Sequence, residues 1–425
     1  MTETTGKPGW AAYLAAMAVG LAMVAWAGEP VGEPVPEPER PGPSSWLGWQ
    51  RATGDWGGAR SRLEDRGVEV GFGVTTVWQA SHRGGIHSHP RGKWSTSWDA
   101  ELGLDTERLR LWPGGTFFAH WEGSEQVGID ERFVGSMLGV NADAAATGER
   151  WSQFSEYWYE QALAGGLLAL RLGKQDATND FDTNAFANDE ATQFLNGALV
   201  NNPTVPFPDY ALGAQAILRP GGGCYLAAGA FDARAEGWTS GRDTALESDS
   251  DWFVVAEGGI EGALPLAAAD LPGAYRVGAW HDPQRYEDLR TGAERKGESG
   301  VYVSLDQMLV REGPESDQGL GLFARYGYAP DRYSEIEHFY SGGVSYRGLI
   351  PGRDADVLGL GVAQGKLGPP ARSTAPHDNE TVYECFYSIV LGAGSALTLD
   401  LQYVRHPAAD LPSALVPGLR CQVDF

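Results

Sequence analysis

Apolar and polar residues alternate along most of this chain. Val68, Val70, Phe72 and Val74 share one parity, and Glu69, Gly71, Gly73 and Thr75 take the other. Farther on, Trp94, Trp98, Leu102 and Leu104 oppose Asp99, Glu101 and Asp105. A period of two marks strands, whose successive side chains point to opposite faces. The pattern returns in segment after segment up to Phe425, where Leu419, Cys421 and Val423 share its parity, and the count comes to about sixteen strands.

The connections alternate as well. Tight links at 112–115, 165–166, 219–222, 350–353 and 392–395 take turns with long polar links at 81–93, 123–153, 174–208, 232–249, 282–298 and 366–379. An even number of strands with short turns at one end and long loops at the other predicts a transmembrane antiparallel β-barrel, an all-β fold. A soluble sandwich does not sort its loops by side in this way. Glycines inside the strands, such as Gly321, Gly343, Gly359 and Gly361, would weaken a small soluble sheet but ease curvature in a barrel wall. Trp78, Tyr159, Trp252, Trp280, Tyr328, Tyr383, Tyr387 and Tyr403 fall near strand ends and are expected in interfacial girdles.

The N-terminal part reads differently. Residues 1–27 carry Glu3 and Lys7, then an apolar run, then Ala25-Trp26-Ala27, the layout of a signal peptide, with an uncleaved anchor as the alternative. Residues 28–44 form a Pro- and Glu-rich linker. Residues 45–67 are an N-terminal helical segment in which Arg60, Arg62, Glu64, Asp65 and Arg66 surround Leu63 and Gly67 closes the helix. So polar a helix cannot be a core element, and it is expected to cap or plug something larger. Residues 68–425 are the barrel.

The formal charge of −24 disfavours nucleic acid and anionic solutes as partners and suits neutral or cationic ones. Beyond the leader no window approaches the roughly 20 apolar residues of a membrane helix, so a membrane location requires strands. Cys224, Cys385 and Cys421 have no metal-type spacing and read as small buried or lipid-facing residues. The chain has no G-x-S-x-G, H-E-x-x-H or Walker loop, and Gly359, Gly361 and Gly365 precede no helix, so neither an enzyme nor a cofactor is expected. Asp180, Asp182 and Asn184 open like a calcium loop, but Ala185 holds the glycine position, and no metal is assigned.

The stretch from 168 to 210 is the most informative. A short strand, with Leu168, Leu170 and Leu172 facing outward, runs into a loop of about 30 residues, far beyond an ordinary connection. That loop interleaves Asp176, Asn179, Asp180, Asp182, Asn184, Asp189 and Glu190 with Phe181, Phe186 and Phe194. Carboxylates beside aromatic faces suit polyhydroxylated ligands, which offer hydroxyls to bond and C–H faces to stack. The alternative is a solvated acidic loop whose aromatics only pin it to the wall. By alternation the lumen receives Asp99, Glu101, Glu160, Arg171, Arg276, Arg325, Arg347, Glu384, Arg420 and Asp424, and arginine facing carboxylate across a narrow lumen gives a transverse field. Candidate pore-lining and solute-binding residues are Glu160, Arg171, Lys174, Asp176, Asp180, Phe181, Phe194, Asn196 and Arg325.

Several of these segments carry a resemblance. Gly54, Asp55, Trp56, Gly57 and Gly58 with Arg60 and Leu63, the run from Leu111 to Thr116, and Arg171 to Ala177 leading to Phe194, Leu195 and Asn196 are similar to the OprB-type carbohydrate-selective porin family. The run from Pro203 to Pro208 and the closing Asp400 to Val404 before Pro407 add to it, so that it spans the chain from Gly54 to Phe425. The resemblance implies a sixteen-stranded outer-membrane barrel through which mono- and oligosaccharides diffuse. Its long loops would fold inward to narrow the pore, and its N-terminal helix would lie near the periplasmic mouth. The linker and the acidic Asp176–Glu190 segment depart from the family pattern. Expected partners are carbohydrate solutes and outer-membrane lipid, with homo-oligomerisation open. A general diffusion porin, or a surface barrel closed by its own loops and serving a structural or adhesive role, are the alternatives.

Overall fold

The computed structural model describes residues 49–87, 89–125, 128–143, 151–246, 250–263, 271–313 and 316–425. The expected signal peptide and linker lie outside the described residues. A short helix, α1 (Ala59–Glu64), precedes the first eight strands: β1 (Val68–Ser81), β2 (Arg91–Asp105), β3 (Gly115–Glu125), β4 (Trp151–Leu163), β5 (Leu168–Gln175), β6 (Ala211–Gly221), β7 (Cys224–Asp232) and β8 (Trp252–Ala263). The second eight are β9 (Pro272–Glu287), β10 (Glu294–Arg311), β11 (Gly319–Tyr328), β12 (Ile336–Arg347), β13 (Val357–Leu367), β14 (Asn379–Gly392), β15 (Ser395–Arg405) and β16 (Ala414–Asp424).

Each strand pairs antiparallel with its sequence neighbours, and β1 closes the ring against β16 with Gly73 opposite Asp424. Closure pairs every strand edge, which a wall facing lipid requires because hydrocarbon offers no hydrogen bonds. The alternation explains the two faces. Phe72, Leu102, Leu170, Leu172, Leu360, Leu399 and Leu401 are exposed on the outer surface, where they meet lipid. Cys385 and Cys421 share that outward parity and are exposed, while Cys224 is buried.

Two expectations are corrected. Trp280 belongs to no girdle: it is fully buried on the lumen side, its ring stacked on Phe253 with centroids 6.3 Å apart. The link expected over 282–298 is mostly strand, because β9 and β10 continue as a ribbon to Glu287 and Glu294. Polar residues extend a strand as readily as apolar ones once it projects beyond the membrane, so composition alone misplaces such an end.

α1 sits at the mouth where the short turns and both ends of the barrel lie. Arg60 donates to the Phe425 carbonyl at 2.8 Å and lies over the Trp56 ring, and the Ala52 amide donates to the Asp424 carbonyl at 2.7 Å. The helix therefore caps the β1–β16 seam and leaves the lumen to other elements.

The lumen is filled largely by loops, and two apolar clusters seat them. One gathers Phe194 and Leu199 against Phe323, Phe339 and Phe386, and the other gathers Phe181 against Phe231, Phe253 and Tyr302. Wall glycines make the sockets: a Cβ on Gly361 would lie 2.7 Å from the Phe194 ring, and one on Gly321 would lie 2.1 Å from the Phe186 ring. These positions are glycine because an aromatic side chain approaches the backbone, a stronger constraint than curvature. Gly361→Val is expected to lower barrel stability by about 1–3 kcal/mol, the usual cost of overpacking. The shift would be read as an earlier thermal unfolding midpoint in detergent, and an unchanged midpoint would refute the socket.

Candidate functional site: the lumen passage

The loop between β5 and β6 turns into the barrel and is fixed there by charged groups on the wall. Arg325, fully buried, donates to the carbonyls of Ala187 at 2.6 Å, Leu199 at 2.8 Å and Asp182 at 3.0 Å, and to Asn188 Oδ1 at 2.9 Å. Arg420 donates to the Glu190 and Gln193 carbonyls at 2.5 and 2.7 Å. Glu384 accepts the Leu195 and Asn196 amides at 2.7 and 2.9 Å, and Glu257 accepts the Asp182 amide at 2.9 Å. An irregular segment inside a barrel has no ladder to satisfy its backbone, and these side chains supply the missing partners. Burial pushes the Asp182 carboxyl up to about 7, with the Arg325 guanidinium opposing the rise.

A cavity of about 600 Å³ remains between this loop and the wall of β2 to β5. Phe118 and Trp158 form its floor, two lumen-facing rings stacked 5.0 Å apart at 27°. Arg171 lies over the Trp158 ring at 4.1 Å. Its guanidinium is held on both sides, by Glu160 at 2.9 Å and by Asp180 at 2.5 Å, and Gln215 donates to the same Asp180 oxygen at 2.8 Å. Glu160 and Arg171 are direct partners on β4 and β5, so the pair is built into the register.

Carboxylates surround the platform. The wall presents Asp99, Glu101, Glu122 and Glu156, and the loop presents Asp176, Asp180, Asp189 and Glu190. Asp99 stands opposite Glu122 and Glu101 opposite His120 on the β2–β3 ladder. His120 Nε2 lies 3.0 Å from Asp99, and Glu122 accepts from Tyr210 and Gln153, each at 2.9 Å. Asp99, His120 and Glu122 offer ligand atoms within 4.8 Å of one another and, among the described residues, are the set that could hold a divalent ion. Burial and the neighbouring Asp189 and Asp143 hold the half-buried Glu190 carboxyl up to about 7, against a hydrogen bond from its own backbone.

Towards the short-turn mouth a second cavity of about 680 Å³ opens, with Trp49, Gln193, Arg347 and Asp424 in its lining. The loop tip separates the two: Asp189, Glu190 and Ala191 face the first cavity, and Thr192 and Gln193 face the second.

Of the residues singled out from the sequence, Arg171, Asp176 and Asp180 line the first cavity, and Glu160 is held there through Arg171. The others serve different ends. Phe181 and Phe194 are fully buried in the apolar clusters, so no solute in the cavity can touch them. The pinning reading of the loop aromatics therefore holds for these two. Asn196 is buried, capping a one-turn helix through the Ala198 amide at 3.1 Å. Lys174 keeps the outward parity of Leu170 and Leu172. Its ammonium is enclosed by the carbonyls of Phe154, Gly237 and Thr239 at 2.8, 2.6 and 2.9 Å, where the β7–β8 loop folds over the outer wall. Arg325 holds the loop from behind. Phe118, Trp158, His120 and Glu156 are lining residues beyond those expected from the sequence, although two aromatics on the polar parity of β3 and β4 are a legible signal.

A closed sixteen-stranded barrel with an inward-folded loop leaving a polar passage defines an outer-membrane porin, a channel in its architecture. Residues 92–425 match the model of the carbohydrate-selective porin, OprB family, and the chain belongs to that family. It is similar to Porin B of Pseudomonas aeruginosa, with 23% identity covering 90% of this chain and 92% of that protein. It is also similar to the putative porin QuiX of Acinetobacter baylyi, with 19% identity covering 88% and 92%. The high-pH structure of Pseudomonas putida OprB superposes with a TM-score of 0.77 at 19% identity, covering 89% of this chain and 99% of that one. The protein is a carbohydrate porin of the outer membrane.

Proposed function

We propose that mono- and short oligosaccharides cross this barrel along the passage beside Phe118 and Trp158, under the tip of the β5–β6 loop. The observation that carries this reading is the stacked ring pair in the lumen, with a guanidinium and carboxylates at its edge. A pyranose presents apolar C–H faces and an equatorial belt of hydroxyls. Phe118 takes the face, with Trp158 propped behind it by Arg171, and Asp180 and Glu101 replace water on the hydroxyls, so that a sugar loses little on leaving bulk water. Binding of this kind must stay weak, because a solute held tightly would block the channel. Nothing in the passage needs to transform the solute.

The test is flux through the purified mature protein in liposomes, comparing a monosaccharide, a maltooligosaccharide and an amino acid of similar size. Sugar entry well above that of the amino acid, with competition between the two sugars, is the expected result. Entry ordered by size alone would refute selectivity.

A further inference from the structure

The lumen charges do not balance, and the imbalance sets which sugars can pass. Eight carboxylates line the first cavity against the single guanidinium of Arg171. That guanidinium is itself paired with one of the eight, Asp180, and with Glu160 behind the lining, so the local group of Glu160, Arg171 and Asp180 is already net negative. Among the described residues, the other arginines expected in the lumen are committed elsewhere. Arg276 pairs with Asp306 at 2.7 Å, both buried, and Arg325 and Arg420 are buried with their donors on loop carbonyls. Arg347 in the second cavity pairs with Asp317 at 3.0 Å, leaving Asp424 as a further acid there. Even with Glu190 neutral, as its raised pKa allows, and His120 protonated beside Asp99, the acids of the lining outnumber its cations.

We infer that this passage is cation-favouring, and that among sugars of one size it takes those bearing an ammonium group ahead of neutral ones and refuses uronates and sugar phosphates. A low-dielectric wall concentrates such a field in the lumen. The aromatic floor adds to it, because an ammonium-bearing ring can rest on Phe118 while its charge reaches the loop carboxylates. A carboxylate or phosphate meets acids on both sides and finds Arg171 occupied. The inference rests on the sugar-passage reading for its solutes, while its charge component stands on the lining alone.

The experiment has two arms on the full-length mature protein. Reversal potentials in a potassium chloride gradient across a planar bilayer give the charge preference directly, with potassium favoured over chloride on the order of tenfold at low salt. The preference should fade near 1 M salt, where the screening length falls to about 3 Å. Liposome uptake of glucosamine, glucose and glucuronate gives the order of solutes, expected to run in that sequence. Replacing Glu101→Gln together with Asp189→Asn should move the reversal potential towards zero and close the gap between glucosamine and glucuronate. If that variant fails to fold, the wild-type gradient still decides. A potassium-to-chloride ratio near one, or glucuronate entering as fast as glucose, overturns the inference. A strong cation preference with glucose no faster than a neutral non-sugar of equal size counts against the sugar passage and supports the charge assignment.

Discussion

Replacing Arg325 with methionine is expected to widen the pore and abolish its sugar preference while the barrel still forms. The wall does not need this side chain, since the β10–β11 and β11–β12 ladders are made by backbone groups. The loop does: removing the guanidinium strips donors from the carbonyls of Asp182, Ala187 and Leu199 at once and leaves the buried Asp182 carboxyl without its cation. Breaking a buried charged pair from one side costs about 3–5 kcal/mol. That is comparable to what can hold one loop against water, because neighbouring ties such as Arg420 and Glu384 act on other parts of the same segment. Single-channel conductance should therefore rise and block by maltooligosaccharides should weaken. Arg325→Lys should fall between, because an ammonium reaches fewer of the same carbonyls than a planar fork. Conductance and block both unchanged in Arg325→Met would show that the loop stands without its pin.

Trp158→Ala is expected to raise the sugar concentration that half-blocks the channel about tenfold, equivalent to about 1.4 kcal/mol of solute binding. The indole contributes twice: its stacked pairing with Phe118 makes the floor, and its face carries the Arg171 guanidinium at 4.1 Å. Trp158→Phe should recover most of the effect, since a smaller ring still offers a stacking face. Small-ion conductance should change little, which separates loss of a sugar contact from collapse of the loop. A Trp158→Ala channel blocked by sugar at the wild-type concentration would refute the platform.

The residues that went astray share a cause. Lys174 stands where the loop leaves the wall, but it shares the outward parity of Leu172, and that parity is the better guide. For Phe181 and Phe194 the sequence leaves stacking and pinning open, and packing decides for pinning: Phe181 is buried against Phe231, and Gly361 makes the socket for Phe194. Such a socket involves residues more than a hundred positions apart, and no local pattern announces it. Trp280 shows the same limit from the wall side, since an aromatic near a strand end fits a girdle until its register is known.

The strands, their even number, the sorting of turns and loops between two ends, and the parity that divides lipid from lumen are all legible along the chain. Each follows from period-two alternation and turn composition, which are properties of neighbouring residues. What lies across the lumen comes from the packing of the closed barrel. It commits Arg325 and Arg420 to loop carbonyls and Glu384 and Glu257 to loop amides, and it sets Arg171 beside Trp158 among acids that outnumber it. The physical reason is that a loop entering a barrel must satisfy its backbone with whatever side chains it meets. Which ones it meets depends on closure of the whole ring.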